Sequence, residues 1–146
     1  MTNTTTKPTV KVIVPLEIPL ERIENLLISA TEGGIGYWGR IMGYEIPNGK
    51  TLDDYEYPHF QVVLDGGKMF LHDTEEEDSH YKTLSAEEKE KWTLTYDKLI
   101  KGLQVMANLK PGEGGHHFPN FLAENDDAET SDVFVQCCLF GEIVYG

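Results

Sequence analysis

The side chains in this chain best suited to metal binding or nucleophilic chemistry are five histidines, His59, His72, His80, His116 and His117, and two adjacent cysteines, Cys137 and Cys138. Their spacing favours neither use. Helical metal motifs place two histidines four residues apart, and zinc sites add paired cysteines at fixed intervals; neither pattern occurs. His116-His117 lies in a Gly- and Pro-rich stretch and reads as a polar loop pair that hydrogen-bonds a ligand, a partner subunit or water. No metal and no cofactor is expected. The cysteines fall in an apolar helical run where a free thiol packs, and the acidic flank lacks the electropositive setting that activates one beside a histidine. Neighbouring Cα atoms about 3.8 Å apart also sit below the usual disulfide range of about 4.4–6.8 Å. A Gly-x-Ser-x-Gly elbow is absent.

Two loop motifs come close and fail. Gly43 to Thr51 has five residues between its glycines where a phosphate loop has four, and Pro47 removes an amide that the cradle would use. Asp73 to Leu84 has the acidic spacing of a calcium loop, but Asp78 stands at the glycine position and the closing glutamate is missing.

Glu32-Gly33-Gly34-Ile35-Gly36-Tyr37-Trp38-Gly39-Arg40 is more suggestive. Its glycines allow close backbone approach, Tyr37 and Trp38 offer stacking faces for a base, and Arg40 can pair with a phosphate. The same residues also suit a helix C-cap followed by an aromatic strand that fills the core. A second constellation is Phe118-Pro119-Asn120-Phe121 with Asn125, Asp127, Thr130 and Asp132, whose amides, carboxylates and hydroxyl suit a ribose or a base edge, or simply cap a helix.

The net charge constrains partners. With 25 acids against 12 Lys and Arg the chain carries −13, and Pro111 to Gly146 contains no Lys or Arg. Duplex DNA and anionic membranes require a positive stripe, so neither is an expected partner. No apolar run approaches the roughly 20 residues of a membrane span, the start lacks the h-region of a secretory signal, and the cysteine usage suits the cytosol.

The elements that would position these groups follow from periodicity. Residues 1–8 read as a loose, disordered tail and 9–146 as a single domain. Thr9 to Val14 is β-branched and predicts a strand ended by Pro15. Apolar positions 20, 23, 27 and 30 predict a helix over about 20–31, stopped at Gly33-Gly34. Ile35 to Tyr44 predicts a strand after a bend. Asp65-Gly66 between two apolar runs predicts a β-hairpin over about 59–72. A capping box, Ser85 with Glu88, opens a helix expected over about 86–108, Lys110 to Asn125 predicts a long loop, and a last helix is expected over about 127–140, capped at Asp126 and ended by Gly141. The order predicts an α+β fold with a small mixed or antiparallel sheet and three helices.

Two patches, Glu32-Gly33-Gly34 with Tyr37-Trp38, and Asp127-Ala128-x-Thr130-x-Asp132 with Gln136 and Phe140-Gly141-Glu142-x-x-Tyr145-Gly146, together resemble a group of small tailed-phage proteins, the first type of Thoeris anti-defence protein. The resemblance runs from about Ile23 to Gly146. It implies a phage sponge that binds cyclic ADP-ribose isomers made by host TIR proteins, and in some members cyclic oligonucleotides, without cleaving them. It further implies a homodimer or higher homo-oligomer in the cytoplasm of the infected bacterial cell, with a small nucleotide-derived signalling molecule as partner. On that reading the ligand-binding residues are Tyr37, Trp38, Arg40, His116, His117, Phe118, Asn120, Asn125, Asp127 and Thr130. Trp38 or Phe118 stacks the adenine, Arg40 meets the pyrophosphate, and Asn120, Asn125, Asp127 and Thr130 read ribose hydroxyls. Two other readings stay open: an acidic decoy that occupies a DNA-binding host enzyme through the run Asp73 to Asp78, and a phosphodiesterase acting through His116, His117 and carboxylates.

Overall fold

Pro19 leads into helix α1 (Leu20–Ser29), whose Ile23, Leu26 and Leu27 fall on one face and are buried. The helix widens into a π turn, Ala30–Gly34, where the Ile35 amide donates to the Ala30 carbonyl at 3.0 Å, and it ends with Gly33 at φ 153°. The expected stop therefore falls at Gly33-Gly34. These features belong to a computed structural model that describes residues 7–146. The first six residues of the expected loose tail lie outside that range.

Strand β1 (Gly39–Glu45) pairs antiparallel with β2 (Lys68–Asp73), with Arg40 opposite His72 and an irregularity between Ile41 and Gly43. Strand β3 (Thr93–Leu94) pairs antiparallel with β2, in the order β1-β2-β3. Helices α2 (Pro58–Leu64), α3 (Asp78–Thr83), α4 (Ala86–Lys91), α5 (Tyr96–Ala107), α6 (His117–Leu122) and α7 (Ala128–Phe140) complete an α+β fold.

The hairpin expected over 59–72 does not form. Its second half is β2, but its first half is α2, because Pro58 occupies the first helical turn, where its missing amide costs nothing. Asp65-Gly66 then ends a helix: Gly66 takes φ 97°, and the Gly67 amide donates to the Val62 carbonyl at 2.8 Å. The partner of β2 is the earlier strand β1, reached past a Gly67 so tightly placed that a Cβ there would lie 2.5 Å from the Glu45 carbonyl oxygen.

The helix expected over 86–108 is broken in two. Ser85 caps α4 as predicted, accepting from the Glu88 amide at 3.1 Å. The chain then leaves the helix because Thr93 and Leu94 join the sheet, and Thr95 caps α5 afresh by accepting from the Lys98 amide at 3.3 Å. The long loop also contains the short helix α6.

Helix α7 is the centre of the fold. Every residue from Thr130 to Leu139 is buried, so the helix shows no amphipathic face and is packed all round. Its N-cap is Asp127 rather than Asp126, whose carboxylate pairs with Arg22 at 2.8 Å. Gly141 ends it at φ 71°, as predicted. Helix α5 crosses α7 at Gly102, where a Cβ would lie 2.8 Å from the Cys138 Cα.

The strand expected at Thr9 to Val14 is absent. Lys7 to Pro19 carries no regular structure, and Val10 and Ile13 are 87% and 99% exposed. Its β-branched residues favour a strand only where a sheet edge receives them, and among the described residues none does. No described helix is long and apolar enough to cross a membrane.

Candidate functional site

A carboxylate in the second turn of α7, Asp132, joins the two sequence patches. Asp132 is 6% exposed, and a buried charge of this kind is tolerable only when it is hydrogen-bonded. It has three donors: the Tyr37 hydroxyl at 2.6 Å, the Trp38 Nε1–H at 2.6 Å and the Gln136 Nε2–H at 2.9 Å. Gln136, one turn later, also clamps the C-terminal segment. Its Oε1 accepts from the Val144 and Tyr145 amides at 2.7 and 2.8 Å, and its Nε2–H donates to the Tyr145 carbonyl at 3.2 Å. Tyr145 in turn stacks on Trp38 with ring centroids 5.0 Å apart. Tyr37 to Trp38, Asp132 to Gln136 and Tyr145 thus form one network.

Tyr37 is the exposed end of that network. Its phenol is pushed up to about 12 by burial of the hydroxyl, then by the hydrogen bond to Asp132 and the charge behind it, so it remains a donor at neutral pH. The residue is 53% exposed and lines two clefts. The first, of about 640 Å³, lies between Glu32-Gly33-Gly34 and the first turns of α7 at Ala128, Glu129 and Asp132. The second, of about 590 Å³, lies beyond Tyr37 between His116, His117 and the C-terminal segment, and shares Glu129 and Asp132 with the first. Among the described residues no Lys or Arg lines either cleft.

His117 opens α6 from a buried position, its Nδ1 2.9 Å from the Thr130 Oγ1 on α7. Burial, and next to it the neighbouring His116, pushes its pKa down. His116 is exposed, with its ring 4.0 Å from that of His117. Glu129 reaches toward both: the ligand atoms of His116, His117 and Glu129 lie within 4.8 Å of one another. The absence of helical metal spacing in the sequence did not anticipate this grouping, because α6 and α7 approach each other only in the fold.

The remaining predicted site residues are elsewhere or already occupied. Trp38 is 1% exposed and cannot stack an incoming base. Arg40 closes the turn after β2, its Nη1 donating to the Asp73 and Thr74 carbonyls at 3.1 Å each and its Nη2 pairing with Asp78 at 2.7 Å. It lines neither cleft. Asp127 accepts from the Thr130 amide at 3.0 Å, and that bond holds its carboxyl below the ordinary range. Thr130 is buried behind His117. Phe118 packs toward Phe121, centroids 6.1 Å apart, and Asn120, within α6, accepts at its carbonyl from the Asn125 amide beyond the helix at 2.8 Å, both residues lying outside the two clefts. Of the predicted set, the fold brings Tyr37, His116 and His117 to the second cleft, with Thr130 supporting His117.

Glu32 and Glu129 are outside the predicted ligand-binding set: Glu32 heads the first sequence patch without a role of its own, and Glu129 carries no local signal for a site. Asp132 carried one: it stands four residues before Gln136, on the same helical face. Both cysteines are buried, Cys137 pushed up to about 12 and Cys138 well above its ordinary value by desolvation, so neither is a thiolate nucleophile near neutral pH. Comparison with protein-family models, with curated proteins and with solved structures returned no match to this chain.

Proposed function

We propose that the protein is a phage anti-defence sponge: it binds a small nucleotide-derived immune signal, a cyclic ADP-ribose isomer in the leading case and cyclic oligonucleotides as a further class, and holds it without cleavage in the infected host's cytoplasm. The observation that carries this reading is the pair of clefts that share the half-exposed Tyr37, joined by the network that unites both resemblance patches. An aromatic face flanked by carboxylates suits a nucleoside. The ring stacks a purine, while Glu32 and Glu129 accept hydrogen bonds from ribose hydroxyls or an exocyclic amine.

The predicted roles are revised accordingly. Tyr37 replaces Trp38 and Phe118 as the stacking residue, and Arg40 takes no part in meeting the pyrophosphate. With no cationic side chain in the clefts, the phosphates face solvent or a neighbouring copy. A homo-oligomer is supported by the arm Lys7 to Pro19, whose unpaired Val10, Val12 and Ile13 suit a sheet edge of a second chain.

Calorimetry with cyclic ADP-ribose isomers, followed by heat release and chromatography of the ligand, tests the proposal. Saturable binding and intact recovered ligand are expected, with Tyr37→Ala weakening binding at least tenfold. Cleaved product refutes sequestration, and absence of binding removes the class. The decoy reading draws on the exposed Glu75, Glu76 and Glu77. Reversing those three charges to lysine abolishes a decoy and leaves a sponge intact.

A further inference from the structure

We propose that His116, His117 and Glu129 form a site for one divalent transition-metal ion of the zinc type at the mouth of the second cleft. The two imidazoles come from the start of α6 and the carboxylate from the first turn of α7, and their ligand atoms already lie within 4.8 Å of one another. Around a tetrahedral ion with bonds of about 2.0–2.2 Å, ligand atoms stand roughly 3.4 Å apart. The required closure is therefore on the order of an ångström. His116 and Glu129 are exposed and can swing inward, whereas His117 is fixed.

That fixed histidine has the features of a metal ligand. It is 3% exposed, and its Nδ1 is committed to the Thr130 hydroxyl at 2.9 Å. A His117 that donates Nδ1–H to Thr130 presents the Nε2 lone pair to the ion, which is how an outer hydrogen bond selects the tautomer and orients the ring in metal sites.

The surroundings favour a cation. Glu113, Asp132 and Glu142 line the same cleft and no Lys or Arg opposes them. Two imidazoles with one carboxylate suit zinc and its transition-metal neighbours rather than magnesium or calcium, which prefer all-oxygen shells. Three protein ligands leave the fourth position open toward the cleft, for water or for an oxygen of a bound molecule. The site does not depend on the sponge reading, although an ion there would give the cleft the positive charge its side chains lack.

The test uses the full chain, stripped with a chelator and titrated with Zn²⁺ by calorimetry and with Co²⁺ by visible spectroscopy. One ion per chain is expected, with Co²⁺ producing ligand-field bands of mixed nitrogen and oxygen coordination. His116→Ala and Glu129→Gln should each weaken binding at least tenfold, and Thr130→Val by about 10–100-fold through loss of the outer hydrogen bond. His80→Ala, in the separate pair with His72, should bind as the parent does. Absence of saturable one-ion binding overturns the proposal. So does binding that survives both His116→Ala and Glu129→Gln, or that is lost in His80→Ala.

Discussion

Replacing Asp132 by alanine removes the acceptor shared by three donors, and the cost can be worked from what each donor does next. Trp38 Nε1–H, 2.6 Å from the carboxylate in a residue 1% exposed, has no route to water, and an unsatisfied buried donor costs about 1–3 kcal/mol. Gln136 retains the Tyr145 carbonyl at 3.2 Å, and the half-exposed Tyr37 can turn its hydroxyl to solvent, so these two lose only the charge-assisted increment. Asp132→Ala is therefore expected to destabilise the protein by roughly 3–5 kcal/mol, a large share of the 5–15 kcal/mol of an ordinary domain. Asp132→Asn keeps an oxygen for Trp38 and Gln136 and lets the Tyr37 hydroxyl accept instead of donate, so its cost should be about 1–2 kcal/mol. Urea unfolding of the three proteins measures both values. A second readout is Tyr37 itself: in Asp132→Asn its phenol should titrate below about 12, followed by phenolate absorbance against a Tyr37→Phe blank. An Asp132→Ala protein within about 1 kcal/mol of the parent, or an Asn variant as unstable as the Ala variant, would refute the network as the organising feature.

Gly102→Ala should destabilise by about 1–3 kcal/mol, despite alanine's better helix propensity, because the added methyl meets Cys138 at the α5–α7 crossing; an unchanged urea midpoint would show that the crossing yields. Stability should also fall in mild acid. His72, through burial and then His80 and Arg40, and His117, through burial and then His116, both have pKa values pushed down in the native state. The unfolded chain therefore takes up protons near the ordinary value of about 6.5 that the native protein refuses. Stability is complete above that pH and declines as pH drops toward the native pKa values; urea midpoints that do not move between about pH 7.5 and 5.5 would contradict the burial argument.

Much of the helical frame was legible because the signals are local. Apolar spacing placed α1, the aspartate pair before Ala128 placed the start of α7 to within one residue, the Ser85 cap placed the start of α4, and Gly33-Gly34 and Gly141 ended their helices where glycine's access to positive φ allows. Where the sequence misled, two local choices were nearly balanced and a distant partner decided between them. His59 to Leu64 carries strand-like residues, yet packs as a helix behind Pro58 while β2 finds β1. Thr93-Leu94 interrupts a helical pattern because a sheet edge is there to receive it, and Thr9 to Val14 stays irregular and exposed because none is among the described residues.

The chain's composition by itself determined that its last 36 residues, with seven acids and no Lys or Arg, can supply no part of the positive stripe that duplex nucleic acid requires. It also supplied the residues of both patches. Only the tertiary structure decided their duties: Trp38 went to the core, Arg40 to a turn, and Asp132 to the junction of strand, helix and C-terminal segment. It likewise set Glu129 beside His116 and His117, residues a dozen positions away in sequence. The physical reason is that a side chain's type bounds what it can bind, whereas burial and the partners already satisfied decide whether anything is left to bind with.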